Sequence, residues 1–232
     1  MGGVELYAVN LPDRLPDSEW NLLLSVVSPE KQMKIQAFRR YEDALRALVS
    51  DTLIRALARD KLGLLPSQMD FGVNDFGKPY LFGYPGFHYN LSHSGDWVLC
   101  AVSREAVGVD IEQVKPIDLG IADRFFTKSE ARWLHDTEEH EKLEMFYAIW
   151  TMKESYVKAV GGGLSIPLDS FSISRRQDGR FRVITEAPNP FTISLYDLDS
   201  RYKTAVCSTI DPLPEAITIM SLEQLSRNLL KE

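Results

Sequence analysis

The sequence predicts an α+β fold made of two similar halves, each with a long helix followed by strands enough for a small sheet. Three observations carry this. A long helical pattern followed by several short strand-like runs occurs twice along the chain. The regular strand–helix alternation of a doubly wound parallel sheet is absent. The order of elements repeats, although no strong residue-level repeat accompanies it.

The elements follow in order. "VELYAVNL" alternates and reads as a strand, and "LPDSEWNLLLSVV" reads as a short helix. "SPEKQMKIQAF" begins another helix, with Ser28 as N-cap and Pro29 at the first helical position. From Arg39 to Leu62, Leu45, Leu48, Val49, Leu53, Ala56 and Leu57 recur at helical spacing, and Gly63 stops the run. Short strands follow, punctuated by the turns "NDFGKP" and "LFGYPG". "FHYNLSHSG" and "WVLCAVS" complete the first half. "AVGVDIEQV" opens the second as a strand. "DLGIADRFF" is a short helix, and Thr127 with Glu130 forms a capping box for "KSEARWLHD". "EEHEKLEMFYAIWTMKESYVKAV" is the second long helix, ended by "GGGLSIP". "SFSIS", "RFRVIT", "FTISLY" and "YKTAVCSTI" are strands, and "SLEQLSRNLL" is a last helix. The expected division is 1–105 and 106–232.

With 232 residues the chain can bury a sizeable core. Its net charge of −7 argues against nucleic acid as a partner and leaves any anionic ligand dependent on a local basic patch. Cys100 and Cys207 sit in strand-like runs and read as small buried hydrophobes, not as half-disulfides or metal ligands. The start has no secretory pattern and no stretch reaches membrane-spanning length, so a cytoplasmic protein with no membrane partner is expected.

Three groups of residues can carry chemistry. In "GVDIE", strand alternation puts Asp110 and Glu112 on one face, about 6–7 Å apart, where they repel unless a cation lies between them. The plain alternative is a sheet with one wet face. In "FYAIWTMKESYVKAV", Trp150, Lys153, Glu154, Val157 and Lys158 fall on one side. An exposed Glu154–Lys158 pair would be worth only about 0.3–0.5 kcal/mol and fits the aromatic flanks poorly. At a cleft edge, Glu154 adds a third oxygen to Asp110 and Glu112, Lys158 meets an anion, and Mg2+ is the favoured cation. In "HYNLSHSGDW", His93 follows a strand among Ser92, Ser94 and Gly95, where polar loop atoms can hold phosphate. His88 is the kind of lone histidine that is usually structural. Lys78 would ordinarily be a solvated turn lysine. Lys31, Lys34, Arg39, Arg40 and Arg46 form a basic group that either decorates helix surfaces or receives the outlying phosphate of a nucleotide.

"NLSHSGDWV", "GVDIE", "RFFTKSE" and "WTMKESYVKAVGGGLSIPLDSFSI" resemble the 4'-phosphopantetheinyl transferases, above all the surfactin-synthetase-activating type. "SPEKQMKIQAFRRYEDALRAL" and "FGKPYL" extend the resemblance over nearly the whole chain. G-x-D-x-E followed by W-x-x-K-E-x-x-x-K, in this order and separation, is what makes it specific. The resemblance implies a monomer of two α+β halves with coenzyme A between them. Asp110, Glu112 and Glu154 would hold Mg2+, with Lys158 on the coenzyme A pyrophosphate and Lys153 as a supporting charge. Ser92 and His93 match positions that touch its phosphates. Gly77, Lys78 and Pro79 match the loop around adenine. Lys31, Lys34 and Arg46 match the basic positions for the outlying phosphate. The chain departs from the type at Ala47, where a hydroxyl residue is common, which would remove a hydrogen bond worth about 1 kcal/mol.

The implied reaction moves the phosphopantetheine arm to a serine of an apo carrier domain of a peptide, polyketide or fatty acid synthase and releases adenosine 3',5'-bisphosphate. Glu154 or a metal-bound water is the base, and Lys158 balances charge. The pathways implied are nonribosomal peptide and antibiotic synthesis. The carrier is expected at "KPIDLGIADRFFTKSEARWL", which follows the Asp110/Glu112 strand directly and exposes some of Ile117, Leu119, Ile121, Phe125 and Phe126. A metal-dependent nucleotide phosphohydrolase is the alternative enzyme, and a non-catalytic carrier-binding module is a third reading, disfavoured by the intact carboxylates.

Overall fold

The computed structural model describes residues 2–230. The first half contributes β1 (Glu5–Asn10), α1 (Asp17–Ser25), α2 (Pro29–Gln36) and α3 (Tyr41–Leu62). It continues through β2 (Phe71–Val73), β3 (Pro79–Leu81), β4 (His88–Ser94) and β5 (Trp97–Ser103). Local chemistry sets the helix boundaries. Ser28 Oγ accepts from the Lys31 N–H at 3.4 Å, with Pro29 at the first position of α2. Gly63, at φ 72°, ends α3 in the left-handed region, where a residue without a Cβ is unstrained.

The second half contributes β6 (Val107–Gln113), α4 (Ala122–Phe125), α5 (Lys128–Asp136) and α6 (Lys142–Val160), then β7 (Ser172–Arg175), β8 (Phe181–Ile184), β9 (Thr192–Tyr196) and β10 (Tyr202–Ser208). The capping box at α5 forms as expected: Thr127 and Glu130 exchange side-chain and backbone bonds. The chain ends with β11 (Thr218–Ile219) and α7 (Leu222–Leu230).

One sheet runs β11-β1-β5-β4 and the other β6-β10-β9-β8-β7, with β2 and β3 as a separate hairpin. In the first, Tyr7 of β1 stands opposite Cys100 and Ser92 of β4 opposite Leu99, both antiparallel. In the second, Asp110 of β6 stands opposite Ala205. Each sheet packs one face on its own long helix. Leu48 and Leu53 of α3 meet Val98 and Val102, and Ile149 and Met152 of α6 meet Ala205 and Cys207. A third core lies between the sheets, where Leu6 and Leu99 of the first half meet Val109 and Val206 of the second. Alternation along β5 and β10 lets each strand serve two cores. Cys100 and Cys207 are both free and buried.

Two features lie beyond the sequence pattern. β11 pairs in parallel with β1, and Leu225 and Leu229 of α7 join the core of the first half. The segment assigned by sequence to the second half therefore returns to the first. The stretch "HYNLSHS", in which His93 was expected after a strand, is strand throughout. Among the described residues, no helix is long and apolar enough to cross a membrane.

Candidate active site

β6 and α6 approach more closely than side chains would permit, and Gly108 is the reason. A Cβ added there would overlap the Ser155 carbonyl and the Ala159 backbone nitrogen. The glycine of G-x-D-x-E thus lets the helix backbone rest on the strand. Asp110 and Glu112 then face the helix edge that carries Glu154 and Lys158.

Asp110 is 3% exposed. Its Oδ1 accepts from Lys158 Nζ at 2.6 Å and from Ser92 Oγ at 3.0 Å, while its Oδ2 has no partner. Lys158 Nζ also donates to Ser92 Oγ at 3.1 Å. Glu112 Oε2 accepts from Ser94 Oγ at 3.2 Å. Desolvation, together with the charges of Asp110 and Glu154, pushes the Glu112 carboxyl up to about 7. Desolvation and Asp110 also raise Glu154, against the opposing pull of Lys158. Three oxygen donors that repel one another, one with an unpartnered buried oxygen, fit a hard divalent cation. They do not form a closed coordination set: among the described residues, no three His, Cys, Asp or Glu side chains are gathered around one metal position. Lys158 is the counter-charge that Asp110 has instead.

The two serines belong to a larger device. Asn90, Ser92 and Ser94 alternate along β4, and their side-chain oxygens accept from the backbone N–H groups of Val109, Ile111 and Gln113 at 2.8, 3.3 and 3.0 Å. Side chains of one half thereby satisfy the open edge of a strand in the other, where a neighbouring strand's carbonyls would ordinarily do so. Ser92 and Ser94 also donate to the carboxylates, so the first half helps set the acidic groups of the second. The sequence reading places His93, with Ser92, Ser94 and Gly95, in a loop after a strand. The N-x-S-x-S alternation is the signal that identifies all three residues as one strand face.

The same alternation separates Ser92 from His93. Ser92 points to β6. His93 lies on the other face, open to solvent on one side but with its ring partly desolvated by the surrounding protein, and that desolvation, with the positive charges of Arg46 and Lys158, holds its imidazole below the usual range. Arg46 donates to the Gly95 carbonyl at 2.8 Å and pairs with Asp43.

The cleft itself is a cavity of about 750 Å3. Gly77, Lys78 and Pro79 form one wall, and Trp150, Glu154, Val157 and Lys158 another. A second cavity, of about 540 Å3, holds Lys31 and Lys34 and shares Pro79 and Leu91 with the first. Lys31 is paired with the buried Asp51 at 3.2 Å and Lys34 with Glu30 at 2.6 Å. Arg46, Ser92 and His93 line neither cavity but stand beside the Asp110–Lys158 cluster and at the end of β4. The expected basic positions are therefore spread over two places, with Lys31 and Lys34 apart from Arg46.

Lys153 is a correction. It does not share the cleft face. It is 0% exposed, and its Nζ donates to both oxygens of Glu130, at 2.8 and 2.7 Å, and to the Phe171 carbonyl at 2.8 Å. Glu130 also accepts from the Thr127 and Ile173 N–H groups. At 100° per residue, Lys153 lies on the flank of α6 next to α5, one step round from the cleft-facing line of Trp150, Glu154, Val157 and Lys158. Lys78 also differs from a solvated turn lysine. Its Nζ donates to the Ala159 carbonyl at 2.7 Å and the Val107 carbonyl at 3.2 Å, and desolvation lowers it to about 8.

The segment 115–134 runs beside this cleft. Ile117 is 41% exposed, Leu119, Ile121 and Phe125 are half-buried, and Phe126 is core, stacked on Phe146 at 5.3 Å. Phe125 and Arg124 line the cavity, and Phe125 meets Trp150 edge-on at 5.8 Å.

Comparison with known proteins yields matches over both halves. Residues 106–207 match the family model described as 4'-phosphopantetheinyl transferase superfamily, and residues 15–105 match that described as 4'-phosphopantetheinyl transferase, N-terminal. The chain is 41% identical over 223 residues to 4'-phosphopantetheinyl transferase ffp of Bacillus subtilis, covering 96% of this chain and 100% of that one. It is 40% identical, with the same coverage, to 4'-phosphopantetheinyl transferase Sfp of Bacillus subtilis strain 168. To 4'-phosphopantetheinyl transferase gsp of Aneurinibacillus migulanus it is 36% identical over 226 residues, 96% of this chain and 93% of that one.

Proposed function

The chain belongs to the 4'-phosphopantetheinyl transferase superfamily, as an enzyme of the Sfp type that transfers the phosphopantetheine arm from coenzyme A to carrier proteins; from that premise we propose how its own residues do so, that Mg2+ assists, and that adenosine 3',5'-bisphosphate is the second product. The observation that carries the reading is the Asp110–Ser92–Lys158 cluster, with Glu154 on the adjoining cleft wall, at the junction of the two halves.

Coenzyme A lies in the cleft, with its adenine against Gly77, Lys78 and Pro79. Its outlying phosphate is within the field of Lys31, Lys34 and Arg46, and its pyrophosphate is near Ser92, His93 and Lys158. Asp110, Glu112 and Glu154 would hold Mg2+, which supplies neutralisation of pyrophosphate charge when bound. Lys158 supplies the positive charge of the site: its ammonium, bonded to Asp110 and Ser92, can also serve a substrate phosphate. The carrier serine oxygen attacks the β-phosphorus, the bond from that phosphorus to the bridging oxygen of the adenosine bisphosphate breaks, and the serine proton passes to Glu154. Without metal, burial and the Asp110 charge hold the Glu154 carboxyl above its usual range. Phosphoryl transfer asks chiefly for positioning and charge, so the site needs no protein nucleophile.

The carrier domain docks along 115–134, where Ile117 and the half-buried Leu119, Ile121 and Phe125 are rimmed by Arg124, Lys128 and Arg132. The division into coenzyme A contacts before residue 106 and metal and base groups after it, a monomeric state and a cytoplasmic location belong to the same proposal. Incubation with coenzyme A, Mg2+ and an apo carrier domain, followed by mass measurement of the carrier, tests it. A gain of one phosphopantetheine, lost on removal of divalent ions, is the expected result. Breakdown of coenzyme A with an unmodified carrier would replace transfer by phosphohydrolysis.

A further inference from the structure

The turn between β2 and β3 contains a residue whose bonds exceed what the turn needs. Asn74 Oδ1 accepts from the N–H groups of Phe76 and Lys78 at 3.0 and 2.8 Å. The Asn74 backbone adds a bond from its N–H to the Lys78 carbonyl at 2.9 Å and one from the Gly77 N–H to its carbonyl at 3.0 Å. Together these hold Gly77 at φ 86° and shape the loop that presents Gly77, Lys78 and Pro79 to the cleft. They use only the oxygen of the carboxamide.

The nitrogen does something separate. Asn74 Nδ2 crosses to the other half and donates to the Gly161 carbonyl at 2.9 Å. Gly161 ends α6 at φ 78°. A Cβ on Gly161 would come within 2.7 Å of Lys78 Cδ and 3.5 Å of Asn74 Nδ2, so the turn packs directly on the helix end. Beside this bond, Lys78 Nζ takes the Ala159 and Val107 carbonyls. Terminal carbonyls of a helix lack intrahelical partners, and here donors from the opposite half supply them. The helix so held carries Lys158 one turn earlier and Glu154 two turns earlier.

We propose that Asn74 is a positioning residue that ties the nucleotide-side loop to the end of the catalytic helix, fixing the spacing of the two cleft walls before coenzyme A enters. The proposal rests on the coenzyme A reading given above. Order that exists before binding need not be created on binding, so the tie acts on coenzyme A affinity. The chemical step is made by groups further up α6, and Asn74 touches none of the reacting atoms.

Asn74→Asp and Asn74→Ser separate the two functions of the side chain. Each keeps an oxygen that can accept from the turn, and each removes the Nδ2 that donates to Gly161: aspartate has no donor, and the serine hydroxyl sits one bond nearer the backbone. Aspartate adds a charge and serine does not, so a shared defect is not electrostatic. Calorimetric titration with coenzyme A should give dissociation constants about fivefold above the parent for both variants, the size of one neutral hydrogen bond. The Michaelis constant for coenzyme A should rise by the same factor, with kcat at saturating coenzyme A and the Michaelis constant for the carrier unchanged. If aspartate perturbs folding, as judged by melting temperature, the serine variant carries the comparison. Variants that bind coenzyme A as tightly as a parent that does transfer the arm overturn the tie alone. A parent that neither binds coenzyme A nor modifies a carrier overturns the tie together with the reading beneath it.

Discussion

Gly108 shows how much of the site depends on an atom that is not there. Its hydrogen in place of a Cβ allows α6 to settle on β6, and that contact brings Glu154 and Lys158 to Asp110. Gly108→Ala would push the helix from the strand, because both atoms in the way are backbone and cannot rotate aside. The expected outcome is a loss of transfer of at least tenfold together with a stability loss of about 1–3 kcal/mol, typical of overpacking. Carrier mass measurement and urea unfolding check the two parts, and a variant with parental activity would show that the helix has slack. Sequence alternation put Asp110 and Glu112 on one face. It could not show that Asp110 is neutralised by Lys158, since the partners lie 48 residues apart.

At the scale of elements, α6 and α5 are joined by an ion pair inside the core. Lys153 and Glu130 are both essentially inaccessible, and every oxygen of Glu130 is bonded. Buried pairs of this kind cost much to form and more to break on one side. Lys153→Met should therefore lose about 3–5 kcal/mol of unfolding free energy in urea. Adding Glu130→Gln should recover part of that, because the stranded charge is removed while the amide oxygen can still cap Thr127. A double variant weaker than the single would contradict this account. The neighbouring segment gives a second contrast. Ile117→Asp should raise the Michaelis constant for the carrier and leave that for coenzyme A and the melting temperature alone, because Ile117 is open to solvent. Phe126→Asp should unfold the protein, because Phe126 is core. Parental kinetics for Ile117→Asp would move the carrier elsewhere.

The whole molecule is two halves that cannot be separated cleanly. They share the core between the sheets, β4 side chains satisfy the edge of β6, and β11 and α7 return to the first half. Lys78 bridges them at the price of burying an ammonium. Its folded pKa of about 8 lies below the ordinary 10.5, so the unfolded chain binds the proton more tightly. The penalty is fully present below pH 8 and fades as pH rises from 8 towards 10.5. Relative to Lys78→Met, the parent should thus gain stability between pH 8 and pH 10, by about 1–2 kcal/mol after discounting for solvent screening. Paired urea titrations across that range measure it, and parallel curves would mean that Lys78 titrates normally.

The sequence by itself determined what local chemistry controls. Ser28, Gly63 and the Thr127–Glu130 box end or begin helices through residues no more than four apart, and all three operate as read. Strand period two placed Asp110 with Glu112, and the order of motifs identified the family. Tertiary structure alone decided which flank of α6 faces the cleft, since a helix with apolar residues most of the way round does not announce its neighbours. It turned Lys153 inward to Glu130 and Lys78 across to Ala159. It made Asn90, Ser92 and Ser94 the edge partners of β6, and carried α7 back to α3. Each of these joins groups distant along the chain, where the outcome depends on packing and on which buried polar groups still need a partner, and neither is encoded within a short window.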